Sequence, residues 1–205
     1  MDTSYLNESD LTAGDVLLCY SEALSGKNEH IQNGYSHVAI VTGDRSVADS
    51  DSSGVKKTSV VSLLDEFGHI VVLRNPELWS PERIKKLDSF VSGKIGCGFN
   101  RTGMYRIPER KESLQNEAMS KIHGYFEGTF KPKSHDQNIY FCSEFITASF
   151  IEVGIIEESA AVVFSPETFS PEDIGNDKAF GFFIGYIRPY DEYQIPENDH
   201  FRTSI

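Results

Sequence analysis

Apolar positions along the chain come in short bursts separated by polar, glycine-rich punctuation, and the spacing inside each burst predicts an element. DLTAGDVLLCY at 10–20 opens as a polar turn and runs into a strand-like apolar stretch. SEALSGKNEHIQNG at 21–34 is polar and loop-like. YSHVAIVTGD at 35–44 is rich in β-branched residues and predicts a strand ending in a Gly43-Asp44 turn. SVADSDSSGVKKTSVV at 46–61 reads as a short strand, a turn at 52–54 and a second strand. SLLDEFG supplies one or two helical turns, and HIVVLRN at 69–75 another strand.

The second half is more helical. In SPERIKKLDSFVSGKIG at 80–96, Ser80 can cap a helix, Pro81 suits its first position, and Ile84, Leu87 and Val91 share one face. GCGFNRTGM at 96–104 reads as a loop. Residues 105–137 are polar and mixed in charge, with a helix expected around 110–126. Two readings of that stretch stay open: an inserted subregion acting as a lid, and a surface helix with loops. YFCSEFITASFIEVG at 140–154 predicts a helix closed by Gly154. FSPETFSPEDI is a proline-punctuated loop, and AFGFFIGYIRPY at 179–190 a last strand ended by Pro189. The tail 191–205 has no periodicity and is expected to be loosely attached. Strands first, then helices, then a strand predict an α+β fold. At 205 residues and 39% hydrophobic content, the expectation is one domain over 1–205 with its core at about 10–190.

Charge and cysteine usage narrow the classes. A formal charge of −12 repels phosphate backbones, so nucleic acid is not an expected partner. The N-terminal MDTSYLNESDLTAGD has neither a basic nor an apolar segment, so no signal peptide is expected. GFFIGYI falls short of the roughly 20 apolar residues of a membrane span, so no transmembrane segment is expected. These features imply a cytoplasmic protein or one exported without a signal peptide. Three scattered cysteines, at 19, 97 and 142, fit free thiols better than a disulfide framework. Neither a C-x-x-C pair nor any spacing joins His37, Cys142 and a carboxylate into a familiar ligand set, so neither metal nor cofactor is expected.

Cys142 supports two readings. Positions 142, 145, 146, 149, 150 and 153 form an apolar stripe at helical spacing, where cysteine is ordinarily an inert hydrophobe. Cys142 also opens its helix, where unpaired N–H groups and the helix dipole favour a negative charge and can receive an oxyanion. Ser143 and Glu144 fall off the stripe and carry no assigned chemistry.

A thiol nucleophile needs a base, and among six histidines His37 stands out at the mouth of an apolar strand. His30 and His135 lie in polar loops, His69 starts a strand and His123 is near a helix end. Asp49, twelve positions after His37, comes beside it if the strands at 35–43 and 46–50 pair antiparallel. Asp51 shares its face and stands in reserve as the third residue. Tyr35, two positions before His37 and expected on the same face, is the candidate second oxyanion donor, beside the backbone N–H of Cys142.

GDVLL at 14–18, SHVAIVTG at 36–43, the VADS segment, VVLR at 71–74 and YFCSEF at 140–145 occur in an order that resembles the circularly permuted branch of papain-like, NlpC-type cysteine hydrolases, in particular the YiiX/YaeF-like group. Lecithin:retinol acyltransferase is a more distant likeness. The resemblance implies a permuted papain-like fold over about 10–188, Cys142 as nucleophile, His37 as base and Asp49 as a polar third residue. GCGFN at 96–100 resembles the group's Gly-x-x-Tyr-Asp motif, with Phe99 and Asn100 in place of tyrosine and aspartate. The implied function is a Cys-His-Asp hydrolase acting through an acyl-enzyme on a peptide-type amide, first of all in cell-wall peptidoglycan peptides. The alternatives are a lipid or acyl ester hydrolase or acyltransferase, a non-catalytic binding module and a metal hydrolase. Without a signal peptide, a wall enzyme would be a secreted effector, with secretion machinery or a cognate inhibitor as partner.

Overall fold

The structure, a computed structural model, describes residues 4–27 and 31–203; His30 and the chain ends lie outside it. Its frame is a six-stranded antiparallel sheet in the order β4-β3-β2-β1-β5-β8. These strands are β1 (Val16–Tyr20), β2 (Tyr35–Val41), β3 (Val47–Asp51), β4 (Gly54–Thr58), β5 (His69–Arg74) and β8 (Phe182–Ile187). The α+β expectation holds at this level.

The central strand β1 is apolar on both faces because both faces are covered. Val16, Leu18 and Tyr20 belong to one core cluster, shared with helices α2 (Pro81–Lys94) and α5 (Cys142–Glu152). Leu17 and Cys19 belong to the other, closed by Leu11 and by Val60 and Leu63 of α1 (Val60–Glu66). Ser80 caps α2 through the Arg83 N–H, with Pro81 in its first turn, as the local sequence predicts.

Two local devices shape the functional end of the sheet. Between β1 and β2 the register runs from Cys19 opposite His37 to Tyr20 opposite Tyr35, so Tyr35 and Ser36 together face one residue. This β-bulge reverses the side-chain alternation, and Tyr35 joins Tyr20 on the opposite face from His37. Between β2 and β3 the ladder has only two pairs, Ile40–Ala48 and Val41–Val47, and the strands part beyond it. At the β3–β4 turn, Gly54 has φ +100°, and a Cβ there would lie 2.2 Å from the Cys97 carbonyl.

Three expectations are corrected. The stretch 96–104 is not plain loop: it holds β6 (Gly98–Phe99), paired in parallel with β7 (Ile139–Tyr140), and the start of α3 (Arg101–Tyr105). The tail is not loosely attached, because Ile195 and Phe201 pack into the main core and Asp199 is buried. Helix α5 is not amphipathic: every residue from Cys142 to Ile151 is buried, including Ser143 and Glu144. Its small hydroxyls tolerate this because Ser143 donates to the Phe169 carbonyl, Thr147 to the Ser143 carbonyl and Ser149 to the Ile146 carbonyl. The remaining helices are α4 (Ile107–Phe126), α6 (Pro171–Asn176) and α7 (His200–Thr203), and among the described residues no helix is long and apolar enough to cross a membrane.

Candidate active site

Where β2 and β3 part, His37 and Asp49 lie on the same face of the sheet. Had the ladder continued, Asp51 would stand opposite His37 and Asp49 diagonal to it. The parting leaves Asp49 as the partner: its Oδ2 is 2.8 Å from His37 Nε2. Asp51 is drawn into the β3–β4 turn, where it accepts from the Ser53 N–H and hydroxyl and pairs with Lys56. The reserve assignment therefore has no geometric support.

Helix α5 packs against both parted strands, and Ser50 of β3 ties its approach by donating to the Tyr140 carbonyl at 2.7 Å. Cys142 lies close enough to His37 to raise the basicity of its imidazole. With Nε2 turned to Asp49, Nδ1 is the ring nitrogen left to face that thiol. Phe67 stacks on the imidazole, with ring centroids 5.4 Å apart and planes 6° from parallel. The ring is thus fixed by a carboxylate, a thiol and an aromatic face.

Burial depresses the basicity of His37, but its hydrogen bond to Asp49 and the neighbouring Cys142 outweigh that and lift its pKa to about 10. The imidazolium form is therefore favoured. Cys19, opposite His37 in the ladder, is a second thiol nearby; burial, then the charges of Asp49 and Cys142, push its pKa well up, which keeps it protonated and unreactive.

The N-cap of α5 is Phe141, which has no side-chain acceptor. Among the described residues no acceptor is recorded for the backbone N–H groups of Cys142 and Ser143, so the first turn offers two donors beside the thiol. Tyr35 does not join them. Its hydroxyl donates to Asp199 Oδ2 at 2.7 Å and contacts His69 Nε2 at 3.2 Å, inside the core. The alternation that puts Tyr35 beside His37 is broken by the bulge at Ser36.

Cys142 lines a cavity of about 270 Å³ whose walls are Met104, Tyr105, Ile107, Pro108, Phe141 and Pro171, among others. The stretch 105–137 contributes three of these six. A smaller polar cavity of about 220 Å³ lies on the other side of the pair and is lined by His37, Asp49, Lys56 and Glu66. A larger open concavity of about 640 Å³ between α4 and residues 163–178 holds none of Cys142, His37 or Asp49. Of these three, the apolar cavity is the one that Cys142 lines.

One residue to which the sequence reading assigns no chemistry stands at the site. Glu144 is fully buried and accepts from the Phe141 N–H and from Asn100 Nδ2. The signal available was a glutamate at the third position of a helix whose N-cap residue has no polar side chain.

No protein-family profile matches the chain, and no solved structure does. Among curated proteins, it is similar to the probable lipoprotein peptidase YaeF of Escherichia coli (strain K12). The two are 26% identical over 207 residues, which cover 88% of this chain and 72% of the relative.

Proposed function

We propose that the chain is a cysteine hydrolase in which Cys142 attacks a carbonyl carbon, His37 carries the proton and Asp49 orients the imidazole. The observation that carries this reading is the buried relay from Asp49 through His37 to a thiol at the first position of a helix. The likeness to a probable lipoprotein peptidase supports a peptidase-type activity. The order of a histidine strand before a cysteine helix suits the permuted papain-like layout.

The steps follow from the groups present. The attacking species is the Cys142 thiolate, with His37 as the imidazolium beside it. The thiolate adds to the carbonyl, and the N–H groups of Cys142 and Ser143 receive the oxyanion. The imidazolium gives its proton to the departing amine or alcohol as the acyl-enzyme forms. Neutral His37 then takes a proton from water, which attacks the thioester and frees the acid.

For substrate, an amide of peptide type is the first reading. The walls of the Cys142 cavity favour a second: among the described residues none that lines it is cationic, so the carboxylates of wall peptides would enter without a partner there, whereas an apolar acyl chain matches Met104, Tyr105 and Ile107. Side-by-side digestion of purified peptidoglycan, a lipopeptide and p-nitrophenyl esters of increasing chain length separates these. Release from the peptidoglycan alone would overturn the apolar reading. An unchanged rate in the Cys142→Ala variant would overturn the cysteine mechanism altogether.

A further inference from the structure

Glu144 and Asn100 lie just outside the groups assigned so far, and their contacts run between two parts of the site. Glu144 sits in the first turn of α5, two residues after Cys142, with a wholly buried side chain. Its Oε2 accepts from the Phe141 N–H at 3.2 Å and from Asn100 Nδ2 at 2.9 Å. Phe141 is the N-cap, so this carboxylate fixes the chain at the point where the thiol and the two free N–H donors begin. A carboxylate reaching back from the third position holds the turn while the N–H groups of Cys142 and Ser143 stay open.

Asn100 is held at both ends. Its Oδ1 accepts from the Gly103 N–H at 2.9 Å, capping α3, and its backbone N–H donates to the Tyr140 carbonyl at 3.0 Å. Gly103 is the only residue type that leaves room for this: a Cβ there would lie 2.2 Å from Asn100 Nδ2. Helix α3 then presents Met104 and Tyr105 to the cavity at Cys142. The path runs from the first turn of α5 through Glu144 and Asn100 to the cavity wall without a gap.

We propose that Glu144 and Asn100 are positioning residues: Glu144 sets the first turn that carries the nucleophile, and Asn100 locks to it the α3 wall of the cavity, so that thiol geometry and acyl-pocket shape are fixed together. This rests on the reading of Cys142 as the nucleophile. Burial raises the carboxyl pKa of Glu144, against the pull of Asn100 and the Phe141 N–H. Oε2 can accept these two bonds whether or not the other oxygen carries a proton.

The test uses the full chain with p-nitrophenyl acetate and p-nitrophenyl octanoate, with rate constants expressed per active site counted from the acylation burst. A merely structural role would lower the number of active sites and the melting temperature but leave the constants per site unchanged. Expected is a fall in kcat of about 10-fold to 100-fold on both esters for Glu144→Ala, with most of it recovered in Glu144→Gln, which keeps an acceptor oxygen. Asn100→Ala and Gly103→Ala, which leave Glu144 in place, raise KM for the octanoate about tenfold and change the acetate less. The Asn100→Ala/Glu144→Ala pair is no worse than Glu144→Ala alone, because the two act in series. If Glu144→Ala does not fold, Asn100→Ala and Gly103→Ala still decide. Constants per site within twofold of wild type in the folded variants would overturn the proposal while leaving Cys142 as nucleophile. A burst that survives in Cys142→Ala would remove the nucleophile reading and this one with it.

Discussion

Asp49 reaches His37 at 2.8 Å from a strand that pairs with the histidine's own over only two residue pairs. The carboxylate does more than orient the ring: together with the thiol it outweighs the burial that would otherwise strip the imidazole of its proton. Replacing Asp49 by Asn keeps the shape and removes the charge. The expected result is a fall in kcat of about 100-fold, with the alkaline limb of the pH–rate profile moved to lower pH because the imidazole now loses its proton sooner. A pH profile of p-nitrophenyl acetate hydrolysis reads both; an alkaline limb left in place would mean that Asp49 does not set the basicity of His37.

Thiol chemistry separates Cys142 from its two neighbours in composition. Cys19 is buried, with its pKa pushed up; Cys97 is more exposed than Cys142, but its Sγ faces the Gln137 carbonyl rather than an imidazole. Iodoacetamide at neutral pH is expected to modify Cys142 first, as read by peptide mass mapping. His37→Ala slows that modification about tenfold or more by removing the imidazolium. Equal rates at Cys142 in wild type and His37→Ala would show that the thiol is not activated by its neighbour.

Tyr35 gives a contrast in which stability and catalysis part. Its hydroxyl serves Asp199 and His69 in the core, where Asp199 also accepts from Tyr186 at 2.5 Å. Tyr35→Phe is expected to cost about 1–3 kcal/mol of stability through the unsatisfied buried groups, and to leave the acylation rate per active site unchanged. Thermal melting and burst-normalised kinetics measure the two effects. A rate loss at unchanged stability would return Tyr35 to the oxyanion site.

What the sequence made legible, and what it hid, divides along physical lines. The strands were readable because β-branched runs bounded by Gly, Asp and Ser have few other solutions, and α2 because Ser80 and Pro81 mark its start. Antiparallel pairing through the Gly43-Asp44 turn brings both Asp49 and Asp51 to the face of His37, and the parting of the strands, which no residue type announces, selects Asp49. Tyr35 was misplaced because one extra residue at a bulge inverts every side chain before it, and no local residue type announces that. Helix α5 reads as a stripe because Ser143, Glu144 and Thr147 look solvent-facing; their burial depends on the Phe169 and Ser143 carbonyls as acceptors and on Asn100 Nδ2 as a donor. The tail looked loose because Asp199 finds its partners at Tyr35, His69 and Tyr186, far away in sequence.

The protonation of His37 also links the site to the stability of the whole fold. Its pKa is raised from 6.5 to about 10 by partners that exist only in the folded chain. Such a group contributes stability in full below its unfolded pKa, and the contribution is lost as pH rises through the folded value. Wild type is therefore expected to lose stability between about pH 7 and pH 10 beyond any loss in His37→Gln, which has no proton to give up there. Denaturant midpoints measured for both proteins at pH 6 and pH 10 test this, with the difference between them as the readout. Direct titration of the His37 ring by NMR supplies the midpoint, and in Cys142→Ala it should fall, because one of the two groups that raise its basicity is gone. A wild-type ring titrating near 6.5 would sink the imidazolium assignment, and a difference in midpoints that stays flat with pH would break the link to stability.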